Sequence, residues 1–220
     1  MDWKTADSVI TDVDGTLYAQ RPVRKAMALR MARFFLLHPW RWKELLGIYE
    51  FRKIREQEAW RTSTQEAQIR EAARRARIGR EERLGEAVQK WMFSEPLPLI
   101  RRHRHEALLR LLRELRAAGK RVIVYSDYAP EDKLAALELK ADAVYYPGRA
   151  GIGELKPSPK AMRRILDAEG ISPERCVFFG DRPEKDGESA AAAGIRFLLV
   201  GPDGTWEEDA AAGSEKEREQ

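Results

Sequence analysis

The stretch VITDVDGTLY, residues 9–18, joins an apolar run to two aspartates that are two positions apart, and a glycine follows them at once. Because alternate residues of a strand point the same way, Asp12 and Asp14 are expected to face the space beyond the end of a strand over Val9–Val13. Open α/β sheets bind their ligands at the carboxyl ends of their strands. Gly15 would let the backbone turn sharply there. The alternative, two aspartates that only shape a turn, is common for an isolated Asp-Gly pair.

Further apolar, β-rich runs follow along the chain, and helical segments separate them. The later predicted strands are Val122–Tyr125, Ala143–Tyr146, Val177–Phe179 and Phe197–Val200. Their nearly continuous apolar character is typical of strands that are covered on both faces. Helices are predicted over His105–Ala118 and, behind Ser158 as N-cap, over Pro159–Ala168. This alternation predicts an α/β fold with a Rossmann-like three-layer core and a parallel sheet.

About 100 residues separate the first two predicted strands, and the periodic stretches among them have helical spacing. We therefore expect an inserted α-helical domain over residues 19–105, with the core at 1–18 and 106–203. The predicted helices of the insert are Pro22–Leu37, Trp40–Trp60, Thr64–Ala76 and Arg80–Phe93. Residues 204–220 are rich in alanine and charge, so they are expected to form a flexible tail.

The charges are unevenly distributed along the chain. The net charge is +4, and the segment Arg21–Lys43 carries seven cations and no acid. Three interpretations of this segment stay open: a solvated face whose arginines pair with acids elsewhere, a surface that attracts a polyanionic substrate, or a membrane-surface patch with Trp40 and Trp42 among the headgroups. Nucleic acid is not an expected partner, because the sequence contains no recognition motif for it.

Composition narrows the class of protein. A chain of 220 residues with 43% hydrophobic content is typical of a globular domain with a sizeable core. Its apolar runs are far shorter than the roughly 20 residues of a spanning helix, and the first residues lack the order of a signal peptide. The expected location is therefore cytoplasmic. Cys176, the single cysteine, lies in an apolar run and is expected to be a buried structural thiol.

Polar side chains also follow the later predicted strands. Together with the first two aspartates they make a set that is expected to meet in one crevice at the carboxyl edge of the sheet, namely Asp12, Asp14, Ser126, Lys156, Asp181 and Asp186. Four carboxylates held together would repel one another without a cation. Hard oxygen ligands beside a phosphate suit Mg²⁺. The set therefore predicts a site for phosphoryl transfer.

Four motifs in this set, DVDGT, YSD, ELKPSPK and GDRPEKD, resemble in order and spacing those of the haloacid dehalogenase (HAD) superfamily. The resemblance covers residues 1–18 and 106–200. It implies a Rossmann-like core with a helical C1-type cap inserted after the first strand. The long basic insert has the chain position of that cap.

The resemblance also implies roles for the residues of the motifs. Asp12 is implied to be the nucleophile, and a carboxylate is expected to be ionised at neutral pH. Asp14 is implied to be the general acid and base, with a pKa raised by burial and by neighbouring acids. Mg²⁺ is implied to bind Asp12, the backbone carbonyl of Asp14, and Asp181, with Asp186 close by. Ser126 and Lys156 would then bind phosphoryl oxygens.

An acid two positions after the nucleophile implies a phosphatase or a phosphomutase, since dehalogenases of the superfamily lack it. We expect a Mg²⁺-dependent phosphomonoester hydrolase that acts on a small or amphiphilic phosphorylated metabolite through an aspartyl-phosphate. The alternatives are a sugar phosphomutase and a non-catalytic adaptor at the membrane surface. One departure is Asp127, where many capped relatives have asparagine. Its side chain is expected either to point outward or to alter substrate choice.

Overall fold

The computed structural model describes residues 6–57, 64–147, 156–157 and 159–208. Its contacts divide the chain into two units, Met1–Arg21 with Ile100–Gln220, and Pro22–Leu99. The second unit is narrower at both ends than the insert predicted at 19–105. Residues 100–105 remain with the first unit because the Ala19 amide donates to the His103 carbonyl oxygen, and the His105 amide to the Leu17 carbonyl oxygen, each over 2.9 Å.

The first unit contains a sheet with five parallel strands. The strands are β1 (Ser8–Thr11), β2 (Arg121–Tyr125), β3 (Ala143–Tyr145), β4 (Cys176–Gly180), β5 (Arg196–Val200) and β6 (Trp206–Glu208). Their order in the sheet is β3-β2-β1-β4-β5-β6, and every pair except β5 with β6 is parallel. The predicted α/β core is thus confirmed, with β1 between β2 and β4.

Helices alternate with the strands and also form the second unit. In chain order they are α1 (Gln20–Leu37), α2 (Trp42–Glu56), α3 (Gln65–Arg75), α4 (Glu81–Val88), α5 (Leu97–Arg102), α6 (Glu106–Ala117), α7 (Glu131–Ala136), α8 (Pro159–Glu169) and α9 (Glu188–Ala192). The proposed N-cap of α8, Ser158, lies outside the described residues. Among the described residues, no helix combines the length and the apolar character that crossing a bilayer requires.

Both faces of the central strand are buried. Ile10 belongs to an apolar cluster with Phe178 of β4 and with Met162 of α8. Val9, which points to the opposite face of β1, is also buried. Because neither face of the sheet is left to solvent here, the strands show no alternation of polar and apolar residues.

The second unit is helical in its described residues. In α1, Pro22 lies in the first turn, where the missing amide hydrogen is tolerated, and the helix ends just before His38-Pro39. Thr64 caps α3 by accepting a hydrogen bond of 3.2 Å from the Ala67 amide. Helices α2 and α4 approach closely at Gly47, where an added Cβ would lie 2.6 Å from Leu84.

The prediction of a flexible tail over residues 204–220 is wrong for its first residues. Trp206–Glu208 form β6, which pairs antiparallel with β5. The Trp206 ring lies edge-on to the Phe179 ring, with 5.8 Å between centroids. One large aromatic side chain supplies apolar burial that the surrounding alanines and charges do not. Residues 209–220 lie outside the described residues.

Candidate active site

The structure brings four of the predicted site residues together at the carboxyl edge of the sheet. Asp12 directly follows β1 and is 1% exposed, and Lys156 is equally buried. The Lys156 ammonium donates a hydrogen bond to Asp12 and lies 2.7 Å from Asp186 Oδ1. Carboxylate oxygens of Asp12, Asp181 and Asp186 all lie within 4.8 Å of one another. Two loops after parallel strands and the segment before α8 therefore meet in one acidic cluster around a lysine.

Two glycines allow the acids of this cluster to approach. Gly15 has a φ of +106°, and a Cβ added there would lie 2.1 Å from Asp181 Oδ2. A Cβ added at Gly180 would lie 2.5 Å from the Cβ of Asp186. Such separations are far below van der Waals contact, and the positive φ of Gly15 disfavours any side chain. The glycine in DVDGT therefore serves the geometry of the site as well as the turn.

Burial and crowding change the acidity of the cluster. Burial raises the pKa of Asp12, and the Lys156 ammonium opposes this rise. Because Asp186 and Asp181 raise it further, the pKa of Asp12 is about 7. Burial and Asp186 likewise raise the pKa of Asp181 to about 6. Although burial lowers the pKa of Lys156, Asp12 and Asp186 hold it above its ordinary value. The ordinary pKa of an exposed carboxylate, on which the expectation of an ionised Asp12 rested, therefore does not apply to this buried group.

The donor set of the cluster fits a divalent cation. Asp181 Oδ1 is buried and accepts no hydrogen bond from the described residues, and its ion pair with Arg182 Nε spans 3.8 Å. A buried carboxylate oxygen in this condition is unusual unless a further ligand satisfies it. Carboxylate oxygens gathered in this way are the ligands that Mg²⁺ prefers. Asp12, Asp181 and Asp186 could therefore hold such an ion.

Asp14 lies in a different environment from the one predicted. Both of its carboxylate oxygens accept hydrogen bonds from Lys133 Nζ, over 2.5 and 2.7 Å, and the Tyr18 hydroxyl donates to Oδ1 as well. Burial raises the pKa of Asp14, but Lys133 and Tyr18 lower it more, so that it lies below the ordinary value. The prediction of a raised pKa is therefore wrong, because it counted the neighbouring acids and missed the lysine.

Lys133 was missed because its helix is short. It lies on α7, in a segment without a predicted helix, and its side chain is only 9% exposed. Its ammonium group also lies 5.5 Å from the centroid of the Tyr128 ring. Pro130 followed by Glu131 and Asp132 was an available signal, since proline and acids are typical of a first helical turn.

The second motif contributes two neighbouring side chains. Ser126 is buried at the end of β2, beside β1, and its Oγ accepts a hydrogen bond of 3.3 Å from the Tyr128 amide. Asp127 accepts from the Lys156 amide over 3.2 Å and from the Arg182 guanidinium over 3.3 Å. With 12% of its side chain exposed, Asp127 does not point outward. It instead connects the segments that carry Lys156 and Arg182.

Arg182 is a further cation that the sequence analysis missed. Although burial lowers the pKa of Arg182, Asp12 and Asp186 hold it above its ordinary value. It directly follows Asp181 in GDRPEKD, a motif in which only the acids were predicted to belong to the site. With Lys133 and Lys156 it gives the site three cations facing its aspartates. An anionic substrate is thereby easier to accommodate than four carboxylates alone would allow.

The family of the chain follows from comparison with known proteins. Residues 6–194 match the family model of the haloacid dehalogenase-like hydrolases. The chain therefore belongs to this family, as the four motifs predicted.

A phosphoserine phosphatase from Thermus thermophilus is 35% identical over 94 residues, which make up 40% of this chain and 37% of that enzyme. Among solved structures, the magnesium-bound HAD-hydrolase YfnB from Bacillus subtilis has a TM-score of 0.61 at 13% identity, over 92% of each chain. L-2-haloacid dehalogenase from Xanthobacter autotrophicus has a TM-score of 0.58 at 19% identity, over 89% of this chain and 77% of its own. These two similarities show the fold alone, and one of the two proteins is a dehalogenase, so the fold does not decide the reaction.

Proposed function

We propose that this chain is a Mg²⁺-dependent phosphatase that hydrolyses a small or amphiphilic phosphomonoester through an aspartyl-phosphate. The observation that carries the proposal is the buried Asp12 carboxylate, bound to Lys156 and beside Asp181 and Asp186. Attack on an anionic phosphoryl group requires an oxygen nucleophile among cations, and this cluster supplies both. Membership in a hydrolase family and the partial similarity to a phosphoserine phosphatase support this assignment.

In the first step an Asp12 oxygen bonds to phosphorus while the bond from phosphorus to the leaving alcohol breaks. The Thr16 hydroxyl donates to Asp12 Oδ2 over 3.3 Å, and Lys156 binds Oδ1, so the orientation of the carboxylate is restrained on both sides. Lys156 and Ser126 bind the phosphoryl oxygens in this proposal. Mg²⁺ held by Asp12, Asp181 and the Asp14 carbonyl, with Asp186 close by, would offset the charge on the phosphoryl group. Water then hydrolyses the aspartyl-phosphate.

The proton transfers are assigned to Asp14 together with Lys133. Because Lys133 and Tyr18 hold Asp14 ionised at rest, the proton for the leaving alcohol comes through Asp14 from the Lys133 ammonium. In the second step the hydrolytic water gives a proton back to Asp14 and hence to Lys133. The two steps thus balance, and the pair ends in its initial state.

The second unit is inserted between β1 and β2, which is the chain position of a cap in this family. We assign substrate selection to this unit, since cap residues supply contacts beyond the transferred phosphoryl group. The sugar phosphomutase remains the alternative. It would use the same nucleophile but return the phosphoryl group to a second hydroxyl of the substrate.

The test is a panel of phosphorylated metabolites that includes phosphoserine, sugar phosphates and p-nitrophenyl phosphate, assayed with Mg²⁺ and with EDTA. We expect phosphate release with Mg²⁺ that EDTA and the change Asp12→Asn both abolish. Asp167→Asn, on the exposed side of α8, is the matched control and should retain activity. Isomer formation without net phosphate release would instead identify a mutase. Absence of turnover across the whole panel would contradict the proposal.

A further inference from the structure

The second unit has an exposed apolar surface that the phosphatase proposal does not use. Among the described residues, all the large hydrophobic side chains that are exposed lie within 21 residues of chain, from position 29 to 49. We call them the tryptophan surface: Leu29, Leu36, Leu37, Trp40, Trp42, Leu45 and Tyr49. Leu36 is 81% exposed and Trp40 is 72% exposed. Scattered single hydrophobic residues are ordinary, whereas such a concentration indicates an interaction site.

Helix α1 contributes to this surface with the face that it turns away from the core. Its buried residues include Val23 and Met27. At about 100° per residue, Leu29 and Leu36 fall on the opposite side of the helix, one above the other. Arg33 lies on the same exposed side. An apolar stripe with an adjacent cation thus faces solvent along α1.

Helix α2 repeats this arrangement after a single turn at Pro39–Arg41. Phe51 is fully buried and Ile48 is 3% exposed. Around the helix, Trp42 and Tyr49 lie about 130–150° from the midpoint of these two buried residues, and both rings are more than half exposed. The exposed rings and leucines on both sides of the turn therefore belong to one short stretch of chain.

The same stretch is strongly basic, and its cations are mostly not used in ion pairs. Arg30 pairs with Glu95 at 3.6 Å and Arg41 with Glu44 at 2.7 Å. For the other five cations of the segment Arg21–Lys43, the described residues offer no ion pair with an acid. The interpretation of this segment as a face of paired arginines therefore accounts for a minority of the charge.

A cationic cavity lies next to the exposed Trp40. Its volume is about 460 Å³. Five cations and one acid line it, together with Trp40, Ile78 and Gly79; the charged residues are Arg41, Lys43, Glu44, Arg77, Arg80 and Arg83. Glu44 is already bound by Arg41, and Arg83 lies 3.8 Å from it. The cavity thus retains an excess of positive charge that suits a phosphate group.

We propose that the tryptophan surface docks on an anionic lipid surface, with Trp40 and Trp42 at the level of the headgroups and a lipid phosphate in the cationic cavity. Tryptophan favours the interface between water and hydrocarbon, and leucines beside it bury their side chains among the acyl chains. Lysine and arginine near such a surface are attracted by anionic lipids. The proposal concerns binding and does not depend on the proposed phosphatase activity.

Charge argues against the other occupants of this surface. In a two-fold dimer the same patch would face itself, which would bring its unpaired cations against one another. A soluble polyanion would satisfy the cations but would leave Leu36 and Leu37 exposed to water. An anionic bilayer satisfies the charges and also covers the apolar side chains.

The test is co-sedimentation of the full chain with vesicles of phosphatidylglycerol and phosphatidylcholine, compared with vesicles of phosphatidylcholine alone. We expect binding to the anionic vesicles that weakens with added salt. Removing two cations of the cavity by Lys43→Ala and Arg80→Ala should weaken it about fivefold per cation. The pair Trp40→Ala and Trp42→Ala should weaken it at least about tenfold.

Matched variants separate this docking from general charge and from folding. Arg110→Ala and Lys160→Ala, at exposed cations of the first unit, should leave vesicle binding within about twofold, since nonspecific attraction is spread over the surface. Trp40→Phe and Trp42→Phe should retain most of the binding. Failure of the unaltered protein to bind anionic vesicles at low salt would overturn the proposal, as would full binding by the double alanine variant. A dimer that dissociates in the tryptophan variants, without vesicle binding, would overturn it in favour of a second copy of the chain.

Discussion

Replacing Asp12 with asparagine should stabilise the metal-free protein at pH 8 while abolishing turnover. The pKa of this buried carboxyl is raised from 3.8 to about 7. A raised pKa means that the fold prefers the protonated form. Its contribution to stability is complete below about pH 4 and is lost as the pH rises through about 7. Asparagine resembles the protonated acid and has no charge to lose.

The size of the effect follows from the change in the Asp12 pKa. The rise from 3.8 to about 7 corresponds to a penalty on the order of 4 kcal/mol at pH 8, and the attraction of Lys156 for the carboxylate is already included in it. Asparagine escapes this penalty, so we expect a stabilisation of at most about 4 kcal/mol, or roughly 8–16 °C in Tm for a chain of this size. At pH 5 the folded carboxyl is mostly protonated while the unfolded one is ionised, so the advantage of asparagine should fall to about 1–2 kcal/mol.

The assay is urea unfolding in EDTA at pH 5 and at pH 8, followed by circular dichroism. Asp167→Asn makes the same chemical change at an exposed position of α8 and should have little effect at either pH. The reasoning would be refuted if Asp12→Asn were less stable than wild type at pH 8. A difference of equal size at both pH values would refute it as well, because the effect would then not come from ionisation.

Three further predictions concern the neighbours of Asp12. Gly15→Ala should displace Asp181 and reduce activity at least about 100-fold. Gly119 also has a positive φ, +82°, but open space surrounds it. Gly119→Ala should therefore cost only the backbone strain, about 1 kcal/mol in the free energy of unfolding. Lys133→Met should lower kcat far more than it raises KM, because Asp14 loses its proton donor. Lys133→Arg should restore little of the rate, since a guanidinium keeps its proton at neutral pH; near-normal activity of the arginine variant would contradict the role of Lys133 as the source of the proton. Mg²⁺ should raise the Tm of the protein, and this increase should be larger at pH 8 than at pH 5, because Asp12 and Asp181 ionise between the two. An increase that does not depend on pH would show that other groups bind the ion.

Local sequence patterns predicted most of the fold of the first unit. Apolar runs that end in Asp12 or Asp181 predicted central parallel strands, because strands buried on both faces need such composition. The sequence did not predict the last strand of the sheet, β6. Trp206 forms β6 only because Phe179 and the edge of β5 are available to it, and neither contact can be seen in a charged, alanine-rich stretch.

For the site, the sequence by itself determined which carboxylates could meet, since residues at the carboxyl ends of neighbouring parallel strands share one edge of the sheet. Only the tertiary structure decided their protonation. The pKa of a buried acid depends on the cations within a few ångströms, and those come from distant parts of the chain. Lys133 lies 119 positions after Asp14 and gives it a low pKa, while the crowded Asp12 has a high one. Two aspartates with the same local sequence pattern therefore differ in acidity because of the partners that folding provides.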